Sequence, residues 1–289
     1  MNRRRIPPAV EPILAWWLPA VRCCLGDNLR SVMLCGSATL GDFCPRWSDV
    51  DVCVVLASPI THGEAQAIGG IHDEMRRRFI EGKEGGWESG QAIEGCYIPA
   101  ELASDPSAQM PCYTAGGTTR KWAVGNPVGP FDRYILAHFG YSVAGEHVVF
   151  GPPATEALVG QTEQDLAPLR RWNDHSEQSA LWVAGMLHWI AQSLVFWRDG
   201  DMMSKSAALR GEIERGSVFA DAFRLALEVR EAGSATAASH HSELRRHFGR
   251  VARPAAREIE RQMRGRSNAQ ARETGRSRHG MKRLGQCDL

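Results

Sequence analysis

The sequence predicts an α+β fold, with a small mixed β-sheet domain first and an α-helical bundle after it. Up to residue 99, short β-branched runs alternate with segments that carry apolar residues at helical spacing. After residue 131, apolar residues recur mainly three and four positions apart, which is typical of packed helices. The glycine- and proline-rich segment between them, residues 125–130, predicts a linker. We therefore place the first domain at residues 1–128 and the helical domain at residues 129–250.

The first domain is predicted to contain three strands and two helices. The strands are expected at residues 31–35, 50–56 and 92–98, and the helices at residues 8–25 and 61–79. The run at 50–56 is the clearest strand, because it is β-branched and ends before Ser58 and Pro59. Thr61 and Glu64 have the spacing of a capping box, which predicts the start of the second helix.

The helical domain is predicted from five amphipathic segments. They cover residues 132–138, 155–172, 176–198, 205–215 and 217–231. Gly200, Gly216 and Gly233 occupy positions where helices are expected to end. Three tryptophans of the third segment, at positions 182, 189 and 197, have near-helical spacing and are interpreted as core residues.

Composition is that of a folded protein with an unusual C-terminal end. The chain has 289 residues, 43% hydrophobic and 23% charged, which suffices for two domains. From Arg250 onward, eleven Lys or Arg face four Asp or Glu, so residues 251–289 are expected to form a basic, flexible tail. No aromatic residue follows Phe248, so nucleic acid is not expected as a partner of this tail.

Cysteine spacing and hydropathy bear on the compartment. The eight cysteines include no CxxC pair, which disfavours a zinc site and a disulfide framework. No run approaches the roughly twenty apolar residues of a membrane span, and no signal peptide is evident at the N-terminus. We expect a cytoplasmic protein with no membrane partner, either a monomer or a dimer.

Two carboxylates at the start of the strand at 50–56 form the first candidate site. Side chains alternate faces along a strand, so Asp49 and Asp51 project to the same side. Carboxylates held close together repel and raise each other's pKa unless a cation lies between them. Mg²⁺ can take that position and contact nucleotide phosphates at the same time. The pair therefore predicts a metal site.

A glycine and a serine follow the preceding strand. Gly36 at a strand end lets backbone N–H groups approach phosphate oxygens, and the Ser37 hydroxyl supplies a further donor. Either feature alone is compatible with a simple turn or a solvated strand edge. The two features together, eleven residues apart between two buried strands, predict a nucleotide-phosphate site.

This segment resembles the nucleotidyltransferase superfamily related to DNA polymerase β. The signature is a hydrophobic-Gly-Ser turn followed by Asp-hydrophobic-Asp, here residues 34–37 and 48–52. The GSAxxG and PxxSDxD spacing at residues 36–51, with Ser48 in the second motif, is similar to that of the aminoglycoside 3''-adenylyltransferases that inactivate streptomycin and spectinomycin. Weaker similarity extends over most of residues 30–215. The resemblance implies ATP as co-substrate, Mg²⁺ dependence with two ions, and nucleotide binding by Gly36, Ser37 and Ser48.

The resemblance also implies roles outside the motif. It implies that a third carboxylate acts as general base, for which Glu94 is the candidate, with Glu84, Glu88 and Glu101 as fallbacks. Lys205 is the candidate for a lysine that reaches the triphosphate from the helical domain.

The acceptor is expected to be a small molecule, most consistent with an aminoglycoside or aminocyclitol antibiotic. The family has acidic residues at the start of the long helix of the second domain, where Trp182 stands here, and Asp174 and Glu177 are the nearby candidates for binding a cationic acceptor. Two alternatives stay open: a nucleotidyltransferase that modifies a protein or tRNA, and a catalytically silent nucleotide-binding protein. An acidic cleft would favour the antibiotic and a basic one nucleic acid.

Overall fold

A six-stranded mixed β-sheet organises the first part of the fold, and its strand order is β5-β4-β3-β2-β1-β6. The structure, a computed structural model, describes residues 6–84, 92–173 and 177–284, with side chains as far as residue 266. The strands are β1 Leu29–Leu34, β2 Val50–Leu56, β3 Ile93–Pro99, β4 Pro111–Gly116, β5 Thr119–Val124 and β6 Tyr141–Gly145. Strands β2 and β3 are parallel, and the other neighbours are antiparallel.

Helices cover both faces of the sheet. They are α1 Glu11–Leu25, α2 His62–Met75, α3 Ala100–Ser104, α4 Pro130–His138, α5 Thr155–Arg171, α6 Ala180–Asp199, α7 Lys205–Glu214, α8 Ala220–Ala232 and α9 His241–Leu284. Helices α1 and α2 cover one face of the sheet, and the helical region covers the other. The predicted α+β class, with a mixed sheet and a helical C-terminal region, is confirmed. The capping box before α2 is also confirmed, since Thr61 Oγ1 accepts from the Glu64 N–H at 3.2 Å and the Glu64 carboxylate accepts from the Thr61 N–H at 2.7 Å.

Half of the strands were not predicted from the sequence. Strands β4 and β5 form a hairpin whose turn is Gly117 and Thr118, and Gly117 has a φ of +50°. A glycine in a two-residue turn is a hairpin signal, but the mostly exposed and polar β5 obscures the apolar alternation. Strand β6 lies beyond residue 128 and pairs with β1, so the chain returns to the sheet after α4. The boundary at residues 128 and 129 remains a prediction.

Alternation along the strands divides the core between the two faces of the sheet. Val52 and Val54 of β2 pack with the cluster that contains α1 and α2. Cys53 and Val55, one position away, pack with the cluster that continues into the helical region. Odd-numbered residues of β2, Asp51 among them, therefore face the helical region and not α1 and α2.

Helix α6 lies at the centre of the helical region. By length and composition alone it could cross a membrane, but 67% of its 18-residue apolar window is buried inside the fold. Its buried side chains, Trp197 among them, contact the common core. The helix is thus accounted for as a core helix.

The expected flexible tail from residue 251 is wrong as far as residue 266. Helix α9 continues through this segment and buries Val251, Ala252, Ala255, Ala256, Ile259 and Met263 against the helical core. The basic residues between them lie on the outer face of the same helix, so the local charge excess concealed an apolar stripe.

Truncation after Arg250 is therefore expected to unfold the protein. Removing six buried apolar side chains costs roughly 5–10 kcal/mol, which is comparable to the whole stability of a domain. Chemical denaturation followed by circular dichroism measures the loss. A chain ending at Arg266 keeps all six side chains and serves as the control, and equal stability of the two truncated proteins would contradict the packing of α9.

A buried histidine makes stability depend on pH. His72 is fully buried, its Nε2 lies 2.9 Å from the Tyr97 hydroxyl, and burial together with the nearby Arg120 lowers the pKa of its imidazole to about 3. Below about pH 6.5 the ring is protonated in the unfolded chain, but it stays neutral in the fold down to about pH 3. The free energy of unfolding therefore decreases as pH falls from about 6.5 towards 3.

We expect His72→Gln to remove this dependence. Relative to the variant, the parent should lose about 2 kcal/mol of unfolding free energy between pH 7.5 and pH 5. Urea titrations of both proteins at each pH measure the difference, in which the other titrating groups cancel. His62→Gln, at an exposed position, is the control. A difference that does not change with pH would contradict the neutral buried ring.

Candidate active site

A cleft of about 570 Å³ lies between the sheet and the helical region. The strand ends of β1, β2 and β3 form one wall, and residues of α4, α5, α6, α7 and α8 form the other. All the residues assigned from the sequence to catalysis, metal binding and nucleotide binding line it: Gly36, Ser37, Ser48, Asp49, Asp51, Glu94 and Lys205.

Sheet geometry brings two of the carboxylates side by side. Asp51 faces the helices because it has the same parity as Cys53 on β2. Glu94 is its register partner on the parallel strand β3, and Ile98, of the same parity as Glu94, packs towards the helices too. Asp49 stands two residues before Asp51, at the entrance of β2. The three carboxylates therefore share one wall of the cleft.

Gly36 is required where β1 turns away from the sheet. Its φ is +60°, in the left-handed region, and a Cβ at this position would overlap the Asp51 carboxyl group, with Asp51 Cγ only 2.8 Å away. The Cys35 N–H donates to the Asp51 carbonyl at 3.0 Å, which holds the turn beside the strand. A side chain at position 36 would therefore collide with the Asp51 carboxyl group, and glycine avoids this collision.

We expect Gly36→Ala to displace Asp51 and lower activity at least about a hundredfold, since a misplaced reacting group costs that much. Backbone strain adds about 1–2 kcal/mol of destabilisation. Rate measurements together with a thermal melt separate the two effects. Gly70→Ala is the control, because a Cβ there meets no atom within 4 Å. Activity close to that of the parent would show that the turn tolerates a side chain.

The two serines differ in what they offer a ligand. The Ser37 hydroxyl is buried and has no hydrogen-bond partner among the described residues. The Ser48 hydroxyl accepts from the Cys44 N–H at 3.2 Å, and the Ser48 N–H donates to the Cys44 carbonyl at 2.6 Å. Ser48 therefore fixes the turn that leads into Asp49, while Ser37 keeps a donor available for a phosphate oxygen.

Burial and neighbouring negative charges act together on the Asp51 carboxyl group. Burial raises the pKa of its carboxyl to about 8, with contributions from the charges of Asp132, Glu94 and Asp49, while Lys205 partly offsets them. Glu94 is exposed to the cleft, but the surrounding protein partly desolvates its carboxyl group and raises its pKa, and Asp49 and Asp132 raise it further. Asp51 and Glu94 therefore hold protons more tightly than isolated carboxylates, unless a cation binds beside them.

Lys205 enters the cleft from the first turn of α7. Its side chain keeps contact with the water of the cleft, but surrounding protein desolvates the ammonium and lowers its pKa, as does the neighbouring Arg230. Asp51, Asp49 and Asp42 act in the opposite direction. Ser204 caps the helix by accepting from the Ala207 N–H at 3.2 Å, which fixes the position of Lys205.

The donor set fits a magnesium ion bound together with a nucleotide. In the part of the chain that the structure describes, no group of three or more His, Cys, Asp or Glu side chains is arranged to hold a metal ion alone. Mg²⁺ is usually bound by one or two carboxylates with phosphates and water completing its coordination. Asp49 and Asp51 supply two carboxylates, and burial and the neighbouring carboxylates raise the pKa of Asp51, so this pair has the chemistry for such a site.

The acceptor residues expected from the sequence are not brought to the cleft. Glu177 is exposed, precedes α6 and does not line the cleft, because the cleft-facing residues of α6 begin at Trp189, roughly 14 Å further along the helix. Asp174 lies outside the described residues. Among the fallback bases, Glu84 pairs with Arg78 at 2.8 Å, Glu101 lies in α3 away from the cleft, and Glu88 is outside the described residues.

The sequence left many cleft residues unassigned, Asp132, Asp165, Trp189 and Arg230 among them. Trp182 and Trp189 are both half-buried and pack against the core as expected, Trp182 by stacking on Trp172 with ring centroids 6.0 Å apart, and Trp189 also lines the cleft. Asp132 follows Pro130 in the first turn of α4, and the preference of acidic residues for helix starts was the one local signal at this position.

Comparison with known proteins gives a structural relative. The sequence matches no protein-family model and no curated protein sequence. The fold is similar to that of spectinomycin adenyltransferase AAD(9) from Enterococcus faecialis, solved with ATP and spectinomycin. The TM-score is 0.58 and the identity 13%, with 82% of this chain and 98% of that chain covered. The likeness establishes the common fold.

Proposed function

We propose that this protein is a Mg²⁺-dependent nucleotidyltransferase that moves AMP from ATP onto a hydroxyl of a small cationic acceptor. The observation that carries the proposal is the convergence of Asp49, Asp51 and Glu94 beside the Gly36–Ser37 turn in one cleft. Support comes from the fold, because the similar adenyltransferase was solved with ATP and spectinomycin. A cytoplasmic location is part of the same proposal.

Asp49 and Asp51 would hold the metal, and when bound it neutralises charge on the phosphates and polarises the phosphorus that is attacked. Burial and the repulsion of neighbouring carboxylates raise the pKa of Asp51, and a cation at this position would offset both. Gly36 leaves room beside the carboxylate, and the Ser37 hydroxyl and Lys205 donate to phosphate oxygens. These groups position the nucleotide.

Glu94 is the proposed general base. Its carboxylate accepts the proton of the acceptor hydroxyl while the hydroxyl oxygen forms a bond to the α-phosphorus. The bond from the α-phosphorus to the oxygen that bridges to the β-phosphate breaks, pyrophosphate leaves, and the proton passes to water. A carboxylate with a raised pKa is a stronger base near neutral pH, which fits this role.

The charge of the cleft favours a cationic acceptor. Of the described residues that line it, six are carboxylates and two are cations, Lys205 and Arg230. Asp132 and Asp165 lie on the helical wall with Trp189 and Phe196, which gives an amine-bearing sugar both carboxylates and aromatic faces. Nucleic acid is disfavoured by such a surface. An aminoglycoside or aminocyclitol antibiotic is the acceptor class we propose.

Identification of the acceptor tests the proposal. The protein is incubated with Mg²⁺, each of the four NTPs and a panel of aminocyclitols and aminoglycosides, and products are analysed by mass spectrometry. We expect one acceptor class to gain an adenylyl group with ATP. Modification of a protein or tRNA in parallel reactions, with the panel unchanged, would support that alternative and contradict the small acceptor.

A further inference from the structure

A buried arginine forms the back of the cleft on its helical side. Arg230 of α8 has a side chain only 2% exposed, and it lines the cleft together with Lys205. Burial of a guanidinium is costly unless its donors are satisfied. The groups that accept hydrogen bonds from Arg230 therefore decide whether its burial is compensated.

Two of its three nitrogens have partners. Arg230 Nε donates to Ser206 Oγ at 3.1 Å. Nη2 donates to the Asp42 carbonyl at 2.9 Å and to Asp42 Oδ2 at 3.0 Å. Asp42 Oδ2 also accepts from the Ser206 N–H at 3.0 Å, so the arginine, the start of α7 and the loop after Ser37 are joined. These bonds fix the plane of the guanidinium.

The third guanidinium nitrogen, Arg230 Nη1, is buried and has no hydrogen-bond partner among the described residues. The same holds for the Ser37 hydroxyl across the cleft, and the two are connected because the Asp42 N–H donates to the Ser37 carbonyl at 3.1 Å. Unsatisfied buried donors, one of them charged, are expensive, and an anionic ligand that accepts from both would recover that cost.

We infer that Arg230 binds the pyrophosphate portion of the nucleotide, with Nη1 donating to an oxygen of the β- or γ-phosphate. The inference rests on the proposed function and deepens it. Lys205, whose ammonium is close to Arg230, is the second cation at the same place, and two adjacent cations suit a group with several anionic oxygens. The leaving group would then be held from the helical side while Ser37 holds it from the sheet.

A purely structural role of Arg230 predicts a different pattern of ligand affinities. If Arg230 only joined α8 to the Asp42 loop, its replacement would weaken binding of every ligand of the cleft together with stability. If Nη1 contacts the β- or γ-phosphate, replacement weakens binding only of ligands that carry those phosphates. AMP is the discriminating ligand, because it keeps the adenosine and the α-phosphate.

The test is calorimetric titration of Arg230→Lys with ATP, inorganic pyrophosphate and AMP, all with Mg²⁺. Lysine keeps the charge and can reach Asp42, but it lacks the planar second nitrogen. We expect the Kd for ATP and for pyrophosphate to rise about tenfold or more, and the Kd for AMP to stay within about twofold. Arg224→Lys, on the exposed face of the same helix, is the control.

Other outcomes overturn the inference. Unchanged affinity for ATP, or equal losses for all three ligands with a lower unfolding temperature, leaves Arg230 with a structural role only. A parent protein that binds pyrophosphate but transfers no nucleotide would overturn the proposed function alone, and one that binds neither ATP nor pyrophosphate overturns both. If the lysine variant does not fold, Arg230→Gln, which keeps an amide donor for Asp42, takes its place with the same expected result.

Discussion

Asp51→Asn is expected to abolish nucleotidyl transfer while the protein remains folded. The substitution keeps the volume of the side chain and removes the charge that would hold the metal against the phosphates. We expect kcat to fall roughly a hundred- to a thousandfold, as it does when one strong electrostatic contact to a transition state is lost. Asp49→Asn should have an effect of the same size, and rates with ATP and the identified acceptor measure both. Asp27→Asn, at an exposed position, is the control.

Stability of the metal-free protein should change in the opposite direction. The pKa of Asp51 is raised to about 8 in the fold, so the stability of the metal-free protein falls as pH rises from about 4 to about 8, and the full loss is present above pH 8. The melting temperature of Asp51→Asn without metal should therefore be higher than that of the parent at pH 8.

Activity of Asp51→Asn within a few-fold of the parent, with Mg²⁺ still required, would remove Asp51 from the site.

Glu94→Gln is expected to lower kcat by about a hundredfold or more and to leave ATP binding nearly unchanged. A general base contributes on that order, and glutamine has nearly the same shape but cannot take the proton. Because the base must be ionised, kcat/KM of the parent should fall as pH drops through the raised pKa of Glu94. Steady-state kinetics and calorimetric titration with ATP measure the two quantities separately.

Two further variants sharpen the assignment of the base. Glu101→Gln changes an exposed carboxylate just beyond the end of β3 and is the control. Asp132→Asn tests the other carboxylate that faces the reacting groups, since its charge acts on both Asp51 and Glu94. A loss of kcat greater for Asp132→Asn than for Glu94→Gln would make Asp132 the base.

The sheet wall of the site was predictable because it depends on local rules. Alternation along β2 determines that Asp49 and Asp51 share a side, and a Gly-Ser pair after a buried strand predicts a turn that can approach phosphates. Glu94 was assigned through the resemblance, and its register with Asp51 shows how a residue more than forty positions away reaches the same wall.

The helical wall was not predictable to the same extent because it depends on how distant helices pack. Asp132, Asp165 and Arg230 lie on three different helices, and none has a characteristic spacing to the others. Its charge and its position before a helix made Glu177 a candidate for binding the acceptor. In the fold, the end of α6 that follows Glu177 lies away from the cleft. In α9 the charges of the outer face outnumbered the buried residues, so composition indicated a tail where packing forms a core helix.

The proposed reaction transfers the α-phosphate of ATP together with its nucleoside. Parallel reactions with ATP labelled at either the α- or the γ-phosphorus, Mg²⁺ and the aminocyclitol panel measure this directly, with Asp51→Asn as the control. We predict that the α-label appears in the modified acceptor, that the γ-label appears in pyrophosphate, and that the variant transfers neither. Appearance of the γ-label in the acceptor, which would make the protein a phosphotransferase, or equal transfer by Asp51→Asn, would contradict the account.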